Sequence, residues 1–334
     1  MAPYRFTSFH CSGIAVWNRD IDRSATNELI AQVSRGCGVG VDRLIEMTLR
    51  KFAMLLGAPD MAHATGLAVT PWINALGIYH RVRRRHGMQF CPRCLAEDGT
   101  YKTIWRLAFM TVCPIHHCEL LDGCPHCDAQ VAFHRNDALY MHCHQCGRSM
   151  LSPSSEGAHI ADDIGALLRF QGALLSALEH GDYMLGDEGI ATPDFFKGMS
   201  ALFSIAKTGI RTDCARTNRL DPSYRSFPTE RIELLRVAAR ARQCGLLAQF
   251  LEDWPDRFLD FAERQRLTQR CLPSAAPSWV RKAVNALPVG SSRTRSVAMV
   301  APIRLQLRAL HRSKCVGWRT ERARILIQRA TRGI

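Results

Sequence analysis

The stretch FCPRCLAEDGTYKTIWRLAFMTVCPIHHCELLDGCPHCDAQVAFHRNDALYMHCHQCGRS, from Phe90 to Ser149, holds eight of the fourteen cysteines of a 334-residue chain. What those cysteines do decides how the rest is read. The N-terminal segment MAPYRFTSFHCSGIAVWNRD has no basic leader followed by an apolar block, and no run approaches the ~18 apolar residues of a membrane span. These features predict a cytoplasmic protein with no membrane association. Thiols in that compartment stay reduced, so clustered cysteines are metal ligands or reactive groups rather than a disulfide framework.

Spacing selects metal. Cys91-Pro-Arg-Cys94, Cys124-Pro-His-Cys127 and Cys143-His-Gln-Cys146 share the two-residue gap that lets both thiolates of a tight turn face one ion. Cys113-Pro-Ile-His116 is the same knuckle with imidazole as its last donor. Paired in sequence order, these half-sites predict two zinc ions per chain, one on Cys91, Cys94, Cys113 and His116, the other on Cys124, Cys127, Cys143 and Cys146. Cys118 is the alternative to His116; the turn-forming Pro114 favours the histidine. Four protein donors fill a tetrahedron, which predicts structural rather than catalytic metal. The string His117-Cys118-Glu119 before Cys124 superficially evokes a zinc deaminase, but its spacing leaves no room for the intervening strand and helix.

Around this insert the chain reads as mainly helical. Leu29, Ile30 and Val33 lie on one face of a helix that Ser24 would precede and Gly36 and Gly38 would end. Apolar spacing from Val41 to Leu56 predicts a second, giving a helix-turn-helix outline. A short helix over DMAHATGL and another starting at Thr70–Pro71 over WINALGIYHRVRRR are expected to follow. Beyond the cysteines, the periodicity predicts helices from about Ala158 to His180 and over TPDFFKGMSALFSIAKTGI, with GDYMLGDEG as a loop between them. Two more are expected either side of Trp254–Pro255, and then a linker at LPSAAPSW. The division expected is 1–87 helical, 88–150 zinc-binding, 151–275 helical and 276–334 a basic helical tail.

Charge is concentrated at the C-terminus. From residue 281 onward there are thirteen Lys or Arg against the single acid Glu321, which is +12 of the chain's +14. Arg293, Arg295, Arg304, Arg308, Arg312, Lys314, Arg319, Arg322 and Arg324 are therefore the candidate phosphate contacts. No phosphate loop, dinucleotide fingerprint, zinc-protease helix or nucleophile elbow occurs. The sequence thus predicts a protein that is not an enzyme.

The strings FCPRCLAED, IWRLAFMTVCPIHHCELL, CPHC and CHQCG resemble the TniQ family, zinc-containing target-selection adaptors of bacterial transposons that include TnsD-type proteins. The resemblance is best over residues 88–147, with a weaker echo in LLAQFLEDWPDRFLDF. It implies the same two ligand sets. His117 stands where that family commonly has glycine, which predicts a slightly altered first turn. The resemblance also implies a non-enzymatic bridge between an insertion target and an AAA+ ATPase that activates a transposase, and the chain is expected to act as two copies. The target would be DNA itself or a guide-RNA effector complex, as in CRISPR-associated transposons.

Overall fold

A computed structural model describes residues 19–52, 54–58, 68–79, 82–132, 141–151, 164–217 and 230–290. The expected DMAHATGL helix and the whole basic tail beyond residue 290 lie outside them, including all nine candidate phosphate contacts. The fold is mainly α around a cysteine-rich segment with helix-turn-helix-like N-terminal helices. It divides into two compact units, one of residues 1–171 with 230–241, the other of 172–229 with 242–333. Segments 1–87 and 88–150 thus share the first unit.

In the first unit, α1 (Ile21–Ser24) leads into α2 (Asn27–Cys37), which Thr26 caps by accepting from the Leu29 N–H at 3.3 Å. The cap is therefore Thr26, not Ser24, whose hydroxyl instead donates to the Asp20 carbonyl. Gly38, at φ +73°, ends α2 by donating to the Ser34 carbonyl. α3 (Val41–Glu46) follows, and Leu44 and Ile45 pack on Ala25, Leu29 and Ile30.

The second helix stops ten residues short of its predicted end. Thr48 donates its hydroxyl to the Ile45 carbonyl at 2.7 Å and accepts from Arg50 N, competing with the helical ladder. The chain then makes a single 3-10 turn, Leu49–Phe52.

The predicted WINALGIYHRVRRR helix does not form. Trp72 to Leu76 runs without helix, and Ile78–Tyr79 (β1) pairs antiparallel with Val82–Arg83 (β2). Trp72, Ile73, Asn74, Ala75 and Leu76 are all buried, whereas an amphipathic helix would expose one side. Their backbone groups find partners far away: Asn74 N donates to Arg106 O, Ala75 N to Glu233 O, and Trp72 N to the Glu233 carboxylate. These partners satisfy the buried backbone without a helical ladder.

The second unit is built on aromatic packing. α5 (Ile164–His180) begins in the first unit and continues into the second; α6 is Thr192–Thr217, with Pro193 in its first turn. The segment GDYMLGDEG is a hairpin, not a loop: β3 (Asp182–Leu185) pairs with β4 (Glu188–Ala191) around Gly186–Asp187. Its period-2 pattern is too short to stand out in sequence, yet it places Tyr183 flat against Phe195, 3.8 Å between ring centres.

α7 (Val237–Glu252) and α8 (Asp256–Arg264) flank Trp254–Pro255 as predicted, and Phe250, Trp254, Phe258 and Phe261 are buried. LPSAAPSW runs without helix up to Pro277, as a connection would. It leads into α9 (Ser278–Val284), whose Trp279 is buried against Phe195 and Trp254. Gly198 makes this possible, because a Cβ there would overlap the Trp279 indole.

Candidate metal centres

Three of the four half-sites are copies of one local structure. In Cys113–Cys118, Cys124–Ala129 and Cys143–Arg148 the first residue's N–H donates to the last residue's carbonyl, and the fifth residue's N–H donates back to the first carbonyl. Each turn is closed by an isolated bridge one residue outside it: Val112 with Glu119, Gly123 with Gln130, His142 with Ser149.

The fifth residue must adopt a positive φ, and these are His117 (+51°), Asp128 (+57°) and Gly147 (+71°). Glycine takes that conformation without cost, and histidine and aspartate are tolerated there. The first turn is therefore not altered by His117; it matches the other two. The fourth half-site differs. Cys91 caps α4 (Pro92–Asp98), accepting from the Cys94 N–H, and Pro92 occupies the first helical position.

Two groups of four could hold a metal ion: Cys91, Cys94, Cys113 and His116, and Cys124, Cys127, Cys143 and Cys146. Within each, the donor atoms all lie within 4.8 Å of one another. In the first, Cys94 Sγ is 3.6 Å from Cys113 Sγ, and His116 Nδ1 is 3.4, 3.2 and 3.7 Å from Cys91, Cys94 and Cys113. In the second, Cys124 and Cys146 are 3.7 Å apart and Cys127 and Cys143 3.6 Å apart. A tetrahedral ion with bonds of ~2.3 Å to sulfur sets its sulfurs about 3.8 Å apart. A disulfide would bring two sulfurs to ~2.05 Å. The measured spacings fit an ion and not a bridge.

In each cluster one thiol is shifted toward the charged form that metals need, while hydrogen bonds with neighbouring thiols push Cys94, Cys113 and Cys118 up and burial pushes Cys124 and Cys127 up. Hydrogen bonds from Cys113, Cys118 and Cys94 hold the Cys91 thiol far below its ordinary value. On the second cluster, the Arg148 backbone N–H pulls exposed Cys146 down to about 7.

What surrounds the clusters was not foreseen from sequence. Leu107 to Cys113, leading into the first cluster, is wholly buried, and its backbone bonds both to other backbone groups and to side chains from distant segments. Arg240 donates to the Ala108 and Met110 carbonyls at 2.7 and 3.2 Å and to Gln89 at 2.5 Å. The Gln171 carboxamide accepts from Thr111 N and Val112 N and donates to the Val112 carbonyl. Arg106, from the quoted Trp-Arg pair, is buried and bonds Asp20 through both terminal nitrogens, Asp22 at 3.0 Å and the Asn74 carbonyl at 2.9 Å. That arginine fastens the N-terminal helices to the cysteine-rich segment. Removing one partner of such a buried pair costs about 3–5 kcal/mol.

The second cluster is held from outside. Arg236 forks onto Asp128 at 2.7 and 3.0 Å and reaches Asp122, which also accepts from Val237 N at the start of α7. Of the arginine run at 81–85, Arg83 donates to the Val131 carbonyl and Arg85 pairs with Glu230, so these two have structural roles.

Fold and site define a mainly helical protein carrying two four-donor clusters in a shared cysteine-rich segment. The model of the family described as TniQ matches residues 2–120, and over these residues the chain carries the TniQ pattern. The match takes in the N-terminal helices and the first cluster and stops before the second. It thus reaches further toward the N-terminus than the cysteine motifs alone do. No curated protein and no solved structure matches the chain. Among the described residues, no helix is long and apolar enough to cross a membrane.

Proposed function

We propose that the chain is a non-catalytic target-selection adaptor of DNA transposition, linking an insertion target to an AAA+ transposition regulator. The TniQ match over residues 2–120 carries this reading. The clusters support it. Thiolate and imidazole at tetrahedral spacing suit zinc, and with Cys91, Cys94, Cys113 and His116 on one ion and Cys124, Cys127, Cys143 and Cys146 on the other, every coordination position is taken by protein. A zinc so enclosed contributes folding energy and a rigid surface rather than an activated water.

In this role the cysteine-rich segment is the scaffold, and the helical faces around it are the docking surfaces. The basic stretch beyond residue 290, with Arg304, Arg308 and Arg312 among its charges, follows a phosphate backbone by counterion release. Truncation after Pro288 should then flatten the salt dependence of DNA binding. The protein acts as two copies in the cytoplasm on target DNA or on a guide-RNA effector complex.

Reconstitution tests the proposal. The purified AAA+ ATPase encoded at the same locus, loaded with nucleotide, should bind this protein and change its own distribution on target DNA when the protein is added. If it neither binds nor redistributes, the adaptor reading fails, and a stand-alone zinc-containing DNA-binding regulator takes its place.

A further inference from the structure

The first cluster contains one donor more than a tetrahedron uses. Beside Cys91, Cys94, Cys113 and His116 stands Cys118, whose thiol is 3.7 Å from Cys91 Sγ. That separation is as close to a tetrahedral edge as those among the four. Cys118 is also fixed in place, since its carbonyl accepts from Cys113 N at 2.7 Å to close the knuckle. Distance from the sulfurs does not by itself decide between imidazole and thiol.

The far side of the imidazole does. His116 presents Nδ1 to Cys91, Cys94 and Cys113, while its Nε2 lies 2.7 Å from a carboxylate oxygen of Glu97. A neutral imidazole that gives its Nδ1 lone pair to a metal must carry its proton on Nε2, and a carboxylate is the acceptor that fixes that tautomer and ring orientation. Glu97 sits on α4 three residues after Cys94, so the helix that Cys91 and Cys94 begin also delivers the carboxylate. The His116 side chain is 6% exposed and that of Glu97 61%, so the ring is enclosed while the carboxylate stays solvated. The Cys118 thiol, by contrast, meets Cys91 itself.

We propose that Glu97 is a positioning residue that selects His116 over Cys118 as the fourth donor, so that the first site holds its ion by three thiolates and one imidazole rather than by four thiolates. The proposal rests on reading the cluster as a metal site. It gives the acidic end of CPRCLAED a physical role. It also lowers the negative charge of the loaded site by one relative to four thiolates.

Cobalt(II) titration of the full-length protein, followed by its ligand-field spectrum and by competition with a chromophoric chelator, tests it. Wild-type protein should take two ions and show two spectral components, one of mixed sulfur and nitrogen coordination and one of sulfur alone. Glu97→Ala should weaken the first site about tenfold, the lower end for such partners because Glu97 is exposed. The mixed component should shift toward the all-sulfur one as Cys118 enters. Glu97→Gln, which keeps an acceptor, should restore the mixed spectrum. Cys118→Ser should leave the wild-type spectrum unchanged, but in the Glu97→Ala background it should cost that ion.

The proposal is overturned if Glu97→Ala keeps both spectrum and affinity, or if Cys118→Ser alone loses an ion. Fewer than two cobalt ions on wild-type protein would instead remove the metal reading, and the proposal with it.

Discussion

The two clusters use the same knuckle but sit in different surroundings. Cys91, Cys94 and Cys113 of the first are buried, at the end of a wholly enclosed segment whose backbone groups bond Arg240, Gln89 and Gln171. In the second, Cys127 and Cys146 are exposed, and the restraints around it are half-exposed contacts: Arg236 on buried Asp122 and exposed Asp128, and His126 on the Ser149 carbonyl. Two four-donor clusters of similar build therefore do two jobs. An ion held at the first cluster would be coupled to the core of its unit, whereas one held at the second would order a local excursion of the chain.

The largest effect that could break this comparison comes from the ligands themselves. Cys94→Ser should cost the first ion and the fold of the first unit together, because binding energy at a structural zinc is folding energy of the order of 10 kcal/mol. Cys146→Ser should cost one ion while that unit stays folded. Metal content and circular dichroism on the two variants distinguish the outcomes; equal loss of helix in both would erase the contrast.

A smaller contrast comes from two arginines one helical turn apart. Arg240 is fully buried and serves the first cluster's approach, while Arg236 is 44% exposed and clamps the second. Arg240→Ala leaves buried carbonyls without their donor and should cost about 3 kcal/mol. Arg236→Ala should cost less, about 1–2 kcal/mol, since its pair with exposed Asp128 is screened and buried Asp122 keeps the Val237 N–H. Denaturant melts of both variants at neutral pH measure the ratio, and equal costs would mean that the second cluster is as deeply anchored as the first.

The smallest effect is a pH dependence. Hydrogen bonds from the Arg236 guanidinium hold the Asp128 carboxyl below the usual carboxylate range. A depressed folded value stabilises above the unfolded value of about 4 and ceases to as pH falls through the folded one. The stability gap between wild type and Arg236→Ala should therefore be full at pH 6 and shrink below about pH 4. A gap that widens on acidification would show that Asp128 is not the partner that matters.

The sequence made some of this legible and hid the rest for physical reasons. Helices with a sustained apolar period, such as those over 192–210 and either side of Trp254–Pro255, could be read directly though not to their ends, and so could the two foursomes that the structure brings together, since a two-residue gap is a local constraint. The Trp72–Leu76 segment misled because complete burial carries no period, and its hydrogen-bond partners, Arg106 and Glu233, lie tens to more than a hundred residues away. Arg106, Arg236 and Arg240 carry no local signal of their roles for the same reason. Only the fold shows which carbonyls and carboxylates they meet. Glu97 had a local signal, an acid one helical turn beyond Cys94, but its meaning depends on where His116 points.

The most direct test of the account is zinc release from the full-length protein into excess chelator, timed alongside amide hydrogen exchange over residues 107–113. The account predicts two zinc ions per chain leaving in two phases. The first should leave those amides protected, and the second, slower phase should coincide with their exchange. Fewer than two ions, or a single phase in which both leave while residues 107–113 stay protected, would contradict it.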